Sequence, residues 1–489
     1  MQTRPLHTLD PEDWQSLRAQ SHAMLDDMLD HIQQLHSLPV WQAPPTTARA
    51  SLQRGLPRAA GDIASTYQAF HEHILPYVAL NSHPRFLGWV QGGGSPVGML
   101  AEILTAGLNI NAGGRDQSPV LVERQIALWM RELFSFPDTA NGIFVTGTSM
   151  ANLMAVLIAK TAALGSLTRE QGLQQESRQL VAYTSEAAHG CVAQAMDLSG
   201  LGKAALRRIP LNAEHQMDIA ALAAALAQDQ AAGLQPFFIA ATAGTVDVGA
   251  IDDLRAVAAI ARQASCWFHV DGAFGALGMM SAEIAPRLEG IQQADSIAFD
   301  FHKWGQVQYD AGFLLVRDGQ KQLDAFAAPA AYLRREVRGL AAGSPWPCDL
   351  GPDLSRGFRA LKTWFTLSVY GTDHLGRVMA ETCRLAQVLK ARIAAIPELE
   401  LMAPVALNIV CFRYQHASLA DVALDQLNAA IVADIHESGV AVPSVTTVHQ
   451  RLVIRVAFVN HRTCEADVET LLSAVLRFGA ARSYQLSSP

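Results

Sequence analysis

Apolar residues recur at helical spacing across residues 8–38, where Trp14, Leu17, Leu25, Met28, Leu29 and Ile32 fall on one stripe. Thr8 or Asp10 can cap this run, Pro11 suits a first-turn position, and Glu12 and Asp13 suit the positive helix end. Pro39 ends it, and a proline-rich connector spans 41–57. A second helix is expected over 62–80, closed by Asn81-Ser82-His83-Pro84. From about residue 86 the period changes. Short apolar runs at 142–146, 180–183, 236–242, 266–271, 296–299 and 312–316 alternate with helical segments near 149, 187–199 and 252–263. Continuous apolar strands separated by helices predict an α/β fold with a mostly parallel central sheet covered on both faces. A long helical stretch near 354–395 leads into strands near 406–414 and 451–458 and helices at 420–438 and 465–480. That last pattern is a smaller α+β unit. The expected segmentation is a helical 1–85, a large domain at 86–378 and a small C-terminal domain at 379–489.

Composition narrows the class. The chain has 489 residues, half of them hydrophobic and 17% charged, which excludes disordered, collagenous and coiled-coil proteins. Its 37 basic and 45 acidic side chains give a net charge of −8, so no nucleic-acid partner is expected. The six cysteines, at 191, 266, 348, 383, 411 and 464, contain no CxxC pair, and no metal site is expected. Sparse, unpatterned cysteine fits a reducing compartment. The N-terminal residues lack the apolar core of a signal peptide, and no apolar run approaches the roughly 20 residues of a membrane span. A cytoplasmic protein without a membrane partner is expected. His71-Glu72-His73 lacks HExxH spacing and belongs to an amphipathic helix.

Candidate chemistry collects at strand ends. Lys303 follows the apolar run 296–299 and Asp271 ends the run 266–271. Alone, the first reads as a surface lysine and the second as a cap. Ligands of open parallel sheets bind at the carboxyl ends of strands, so both side chains reach one rim. An amine and a carboxylate there are what pyridoxal 5'-phosphate requires: a Schiff-base lysine, and an acidic partner that keeps the pyridine nitrogen protonated. Thr146-Gly147-Thr148-Ser149 joins a strand to a helix whose N-terminus suits a phosphate, with the Thr148 and Ser149 hydroxyls as further donors. His189 follows the strand at 180–183, and its flat ring can stack on a cofactor from the same rim.

Gly147-Thr148-Ser149, His189, His269-Val270-Asp271-Gly272-Ala273 and Asp300-Phe301-His302-Lys303-Trp304 together resemble the group II pyridoxal-phosphate decarboxylases, which include the aromatic amino acid, histidine and glutamate decarboxylases. The order and spacing match across roughly residues 80–380. Leu452-Val453-Ile454-Arg455-Val456 and Asn460-His461-Arg462-Thr463 resemble the family's small domain. The resemblance implies fold type I and an obligate homodimer with active sites at the subunit interface. It implies decarboxylation of an L-amino acid to its amine. Carried over by position, Lys303 bears the cofactor, Asp271 pairs with its ring nitrogen, and His189 stacks on the ring. Thr148, Ser149 and His302 bind or flank the phosphate, Asp300 orients that end of the site, and Thr245 supplies a cofactor-side hydroxyl.

Tyr332 lies in a segment rich in Gly, Ala and Pro, so a loop is expected there. The resemblance implies a catalytic loop tyrosine that protonates the substrate carbon after carbon dioxide leaves. An aldehyde synthase on the same scaffold carries Phe at that position, so Tyr332 speaks against it. An aminotransferase or another lyase of the fold is a further alternative, and the set Lys303, Asp271 and His189 speaks against a catalytically silent scaffold. The resemblance places the substrate pocket near Phe86, Asn111 and Arg115. There the chain offers Gln91-Gly92-Gly93-Gly94-Ser95 where aromatic-specific relatives carry bulky residues, and a second stretch, Asn109 to Asp116, offers Asn111 and Arg115 instead of an apolar wall, leaving aromatic and polar substrates both open.

Overall fold

The computed structural model describes residues 7–174, 176–328 and 334–487. Among them, seven strands form the large sheet: β1 (Asn141–Val145), β2 (Leu180–Ser185), β3 (Leu206–Ile209), β4 (Gln235–Thr242), β5 (Trp267–Asp271), β6 (Ser296–Asp300) and β7 (Gly312–Val316). Their order is β1-β7-β6-β5-β4-β2-β3, and only β7 runs against its neighbours. The expected mostly parallel sheet is therefore present. Every residue of β2, β5, β6 and β7 is buried, because helices cover both faces.

Two apolar layers sandwich this sheet. Phe268 and Val270 of β5 and Ile297 and Phe299 of β6 point into one. Trp267 and Ala298 point into the other, against Ala151, Met154, Ala155 and Ile158 of the helix Thr148–Leu164. The helix Leu254–Gln263 shows how the pattern works. Leu254, Val257, Ala258 and Ala261 are buried at helical spacing, and Asp253 caps the start by accepting from the Ala256 N–H.

The four-stranded antiparallel sheet has the order β10-β11-β9-β8, with β8 at Leu399–Leu401, β9 at Ile409–Tyr414, β10 at Ser444–Val448 and β11 at Arg451–Ala457. Arg455 of β11 is buried and ties this unit to the site: it donates to the carbonyls of Val246, Asp247 and Gly88. The helical stretch expected at 354–395 is two helices, Arg359–Tyr370 and Thr372–Ala394. They break at Gly371, whose φ of 71° is open to glycine.

The first helix is shorter than expected, Trp14–Gln33, and none of its residues is buried within the chain. The second covers Ile63–His73 and continues only as a short 3-10 turn at Leu75–Tyr77. Pro76 lacks the N–H that a continuing helix would need. Among the described residues no helix is long and apolar enough to cross a membrane.

Candidate active site

The carboxyl ends of β4, β5 and β6 open onto a cleft of about 330 Å³. Gly147, Thr148, Ser149, His189, Asp271, Asp300, His302 and Lys303 all line it. The strand register explains the convergence, because Thr242 pairs beside Asp271 and Asp271 beside Ala298. A second cleft, of about 390 Å³, opens at the opposite strand ends around Gln235, Trp267 and Lys321, and none of the predicted site residues lines it.

Asp300 organises one side of the cleft. Its Oδ2 lies 3.0 Å from Lys303 Nζ and 3.7 Å from His302 Nε2, and its Oδ1 accepts the Thr148 N–H at 2.8 Å. The carboxylate therefore sits at the positive end of the helix Thr148–Leu164. His302 Nδ1 accepts the Ala311 N–H at 2.9 Å, which points Nε2–H towards Asp300. Burial lowers the His302 pKa, against the opposing pull of Asp300, so the ring is held neutral. Tyr309 lies against that ring, with centroids 4.2 Å apart.

Asp271 is buried on the other side. Its Oδ2 accepts from Asn152 Nδ2 at 2.9 Å and its Oδ1 from the Ala273 N–H at 3.2 Å. Burial raises its pKa; the Asn152 hydrogen bond and the Lys303 charge pull the other way. His189 caps the helix Gly190–Leu198, and its Nδ1 accepts the Cys191 N–H at 3.2 Å. The exposed ring stands over the cleft.

The remaining predicted residues sit elsewhere. Thr245 is fully buried, and its Oγ1 accepts the Ala250 N–H, which closes the turn after β4. Its neighbours Gly244 and Val246 line the cleft instead. Gly244 has a φ of 93°, and a Cβ there would meet the Phe274 ring. Phe86 packs with Val40 and Val442. Asn111 Oδ1 accepts from the Gly113 and Arg356 N–H groups. The Arg115 guanidinium lies 4.6 Å from the Trp346 ring centre. Phe86, Asn111 and Arg115 are thus not in the wall of this cleft. Tyr332 lies outside the described residues.

Other wall residues had no role assigned from sequence: Trp89, Val90, Cys191, Phe274 and Tyr309. Asn152, bonded to Asp271, also escaped, although it lies only three residues beyond Ser149 on the same helix. A polar side chain inside the buried stripe of that helix was the available signal.

These residues fit pyridoxal phosphate. Thr148 Oγ1 is buried beside the helix N-terminus with no hydrogen-bond partner among the described residues, as suits a donor to a phosphate. Asp271 is a buried carboxylate that no cation bonds among the described residues, suited to a protonated ring nitrogen. Residues 45–415 match the pyridoxal-dependent decarboxylase conserved domain. The chain belongs to this family. It is a pyridoxal-phosphate-dependent amino acid decarboxylase of α/β fold type I. It is 29% identical over 484 residues to an aromatic-L-amino-acid decarboxylase of Bacillus atrophaeus, with 97% of each chain covered. It also resembles the glutamate decarboxylase domain of a diaminobutyrate-pyruvate transaminase and L-2,4-diaminobutyrate decarboxylase from Vibrio parahaemolyticus. That match has TM-score 0.85 and 26% identity and covers 97% of both chains. Oryza sativa TDC, solved with PLP and tryptamine, shares the fold at TM-score 0.88 and 23% identity, over 97% of this chain and all of that one.

Proposed function

We propose that this decarboxylase removes the carboxylate of an aromatic L-amino acid at the cleft around Lys303. The carrying observation is the convergence of Lys303, Asp300, Asp271, His189 and Thr148 on that cleft. When bound, the cofactor supplies an electron sink for the pair left behind as carbon dioxide departs. Lys303 is the amine that carries it and that the substrate amine displaces. Asp271 holds the ring nitrogen protonated, and His189 covers the ring face. Thr148, Ser149 and His302 hold the phosphate end, where Asp300 fixes both Lys303 and the helix start. Tyr332 donates the proton that completes the amine.

The side-chain preference rests on the rest of the wall. Trp89, Val90, Val246, Phe274 and Tyr309 are apolar or aromatic, a wall that suits an aromatic side chain. The Bacillus atrophaeus relative is named for the same substrate class. A panel of amino acids scored for carbon dioxide and amine release tests this: glutamate or diaminobutyrate as the best substrate by kcat/KM refutes it.

The working unit is a homodimer. On the helix Pro96–Leu108, Leu100, Ile103, Leu104 and Leu108 are exposed at helical spacing, and Ser95 at its start bonds Gln308, next to Tyr309. The helix Trp14–Gln33 likewise has no residue buried within the chain, and apolar side chains exposed in this way suit a contact with a second copy. Residues 1–85 act as the dimerisation segment, 86–378 as the cofactor domain and 379–489 as the small domain. Six unpaired cysteines suit the cytoplasm.

A further inference from the structure

Behind Asp271 lies a chain of buried polar groups that the chemistry above does not use. Trp267 Nε1 bonds Ser296 Oγ at 2.8 Å, and Ser296 Oγ bonds His269 Nδ1 at 2.8 Å. His269 Nε2 bonds Asn152 Oδ1 at 2.8 Å, and Asn152 Nδ2 bonds Asp271 Oδ2 at 2.9 Å. Trp267, His269 and Asp271 alternate along β5 and so project from one face of the sheet. His269 and Ser296 are fully buried, and Asn152 and Asp271 nearly so.

The two ends fix the direction of every proton. An indole N–H only donates, and an ionised carboxylate only accepts. Asn152 must therefore turn its amide N–H towards Asp271, which leaves Oδ1 facing His269. Asn152 Nδ2 also reaches Cys191 Sγ at 3.1 Å, which supports the same orientation. His269 Nε2 must then carry a hydrogen. Burial lowers the His269 pKa to about 3, so the ring is neutral and its Nδ1 is a bare acceptor. Ser296 consequently donates its hydroxyl to Nδ1 and accepts from Trp267. Every hydrogen in the chain points towards Asp271, and such aligned bonds polarise one another. Phe238 stacks on the His269 ring with centroids 5.4 Å apart and holds its plane.

We infer that Asn152 and His269 are positioning residues that hold Asp271 ionised and fixed in rotation as the acceptor for the cofactor's ring nitrogen. This rests on the role given to Asp271 above. Without the relay, the Asn152 amide loses the partner that fixes it and can present its oxygen to the carboxylate. A buried carboxylate stripped of a donor takes up a proton more readily. The charge that favours a protonated ring nitrogen is then weakened, and with it the discrimination against a ring that carries carbon there.

The test uses the full chain, stripped of cofactor and reloaded with pyridoxal phosphate or with its 1-deaza analogue, in which carbon replaces the ring nitrogen. The ratio of the two dissociation constants reads Asp271 alone, because phosphate and ring-stacking contacts are common to both ligands. His269→Phe keeps the stack on Phe238 and removes the donor. It should reduce the preference for pyridoxal phosphate about tenfold, the low end for one hydrogen bond to a charged group. Ser296→Ala removes only a hydroxyl, so it serves if His269→Phe fails to fold, and it should reduce the preference about threefold. His269→Gln offers an amide N–H to Asn152 and should restore most of it. A preference unchanged in both His269→Phe and Ser296→Ala, or both ligands weakened equally, overturns the relay. No preference in the unaltered protein overturns the role of Asp271 itself, and the relay with it.

Discussion

Asp300 Oδ2 lies 3.0 Å from the Nζ of Lys303, three residues further along the chain, while the other oxygen of Asp300 accepts the Thr148 N–H. One carboxylate thereby joins the Lys303 amine to the start of the helix Thr148–Leu164. Lys303→Ala removes the amine, so turnover should vanish and borohydride should leave no cofactor covalently bound. Asp300→Asn keeps an oxygen for the Thr148 N–H and loses the charge. It should keep the fold and lower kcat/KM about tenfold or more, since an ion pair this buried is held by its geometry. Mass spectrometry after borohydride reduction identifies the modified lysine, and labelling at any lysine other than Lys303 would refute the assignment.

Asp271→Asn should retain the cofactor and lose most of the rate. An amide cannot hold the ring nitrogen protonated, and preorganised electrostatic stabilisation of this kind amounts to about 3–4 kcal/mol, a hundredfold to a thousandfold in kcat. Steady-state assays at saturating cofactor separate this from weak binding. Near-normal kcat in the variant would mean that the ring nitrogen is not what Asp271 serves.

Acidification should destabilise the fold through two buried histidines. Burial depresses His269 to about 3 and His83 to about 4. His83 Nδ1 accepts the Arg85 N–H and its Nε2 faces the Leu38 carbonyl, a pattern that only the neutral ring satisfies. The unfolded chain takes up these protons below about pH 6.5 and the folded chain does not. Their contribution is thus complete above pH 6.5 and shrinks as pH falls through the folded values, by about 2 kcal/mol each at pH 5. Asp252, raised to about 6 by burial, acts in the opposite sense. The variant comparison isolates the histidine: urea unfolding at pH 7.5 and pH 5 should show a smaller loss for His83→Gln than for the unaltered chain. Equal losses would show that His83 does not titrate on unfolding.

The exposed face of the helix Pro96–Leu108 gives a direct test of the dimer. Leu104 is 49% exposed and Ile103 50% in the single chain. Leu104→Asp places a charge in an apolar contact, and light scattering should report a monomer with little activity. The helical content by circular dichroism should stay unchanged, since Leu104 is half exposed in the single chain. A fully active dimer of Leu104→Asp would place the interface elsewhere.

The sheet and the residues that meet at the cleft around Lys303 were legible because both are local. Each strand that delivers a chemical group is a short apolar run, and its next residues are the group: Asp271 ends β5, and His302 and Lys303 follow β6. The elements that escaped lack that contrast. β3 reads Leu-Arg-Arg-Ile, with two charges in a four-residue edge strand, and the helix Ile219–Ala231 is so rich in alanine that its apolar stripe is faint. The pocket side was illegible for a different reason. Arg115 is occupied by Trp346 and Asn111 by Arg356, partners far along the chain that only tertiary packing brings close. Thr245 is one residue from the wall, but the hydrogen bond to Ala250 turns its side chain inwards. Sequence spacing reports which loop reaches the rim and not which of its side chains faces the cleft.

The remaining prediction concerns Tyr332, whose hydroxyl is the proposed proton donor and which lies outside the described residues. Just beyond it, Arg335 pairs with Asp349 at 2.5 Å and lies 3.6 Å from the Trp346 ring centre, so this end of the segment is anchored. Tyr332→Phe removes one oxygen and leaves cofactor and substrate binding intact. Amine formation should fall roughly a hundredfold to ten-thousandfold, the contribution of a positioned proton donor. The substrate carbon then keeps its electron pair long enough to meet dioxygen. With water as co-reactant, the substrate is oxidised to aldehyde, ammonia and carbon dioxide while dioxygen is reduced to hydrogen peroxide. Aldehyde and peroxide should therefore appear under air and disappear under nitrogen. Amine output unchanged in Tyr332→Phe, with no peroxide, would mean that another group delivers the proton; Tyr309, in the cleft wall beside His302, would be the next residue to replace.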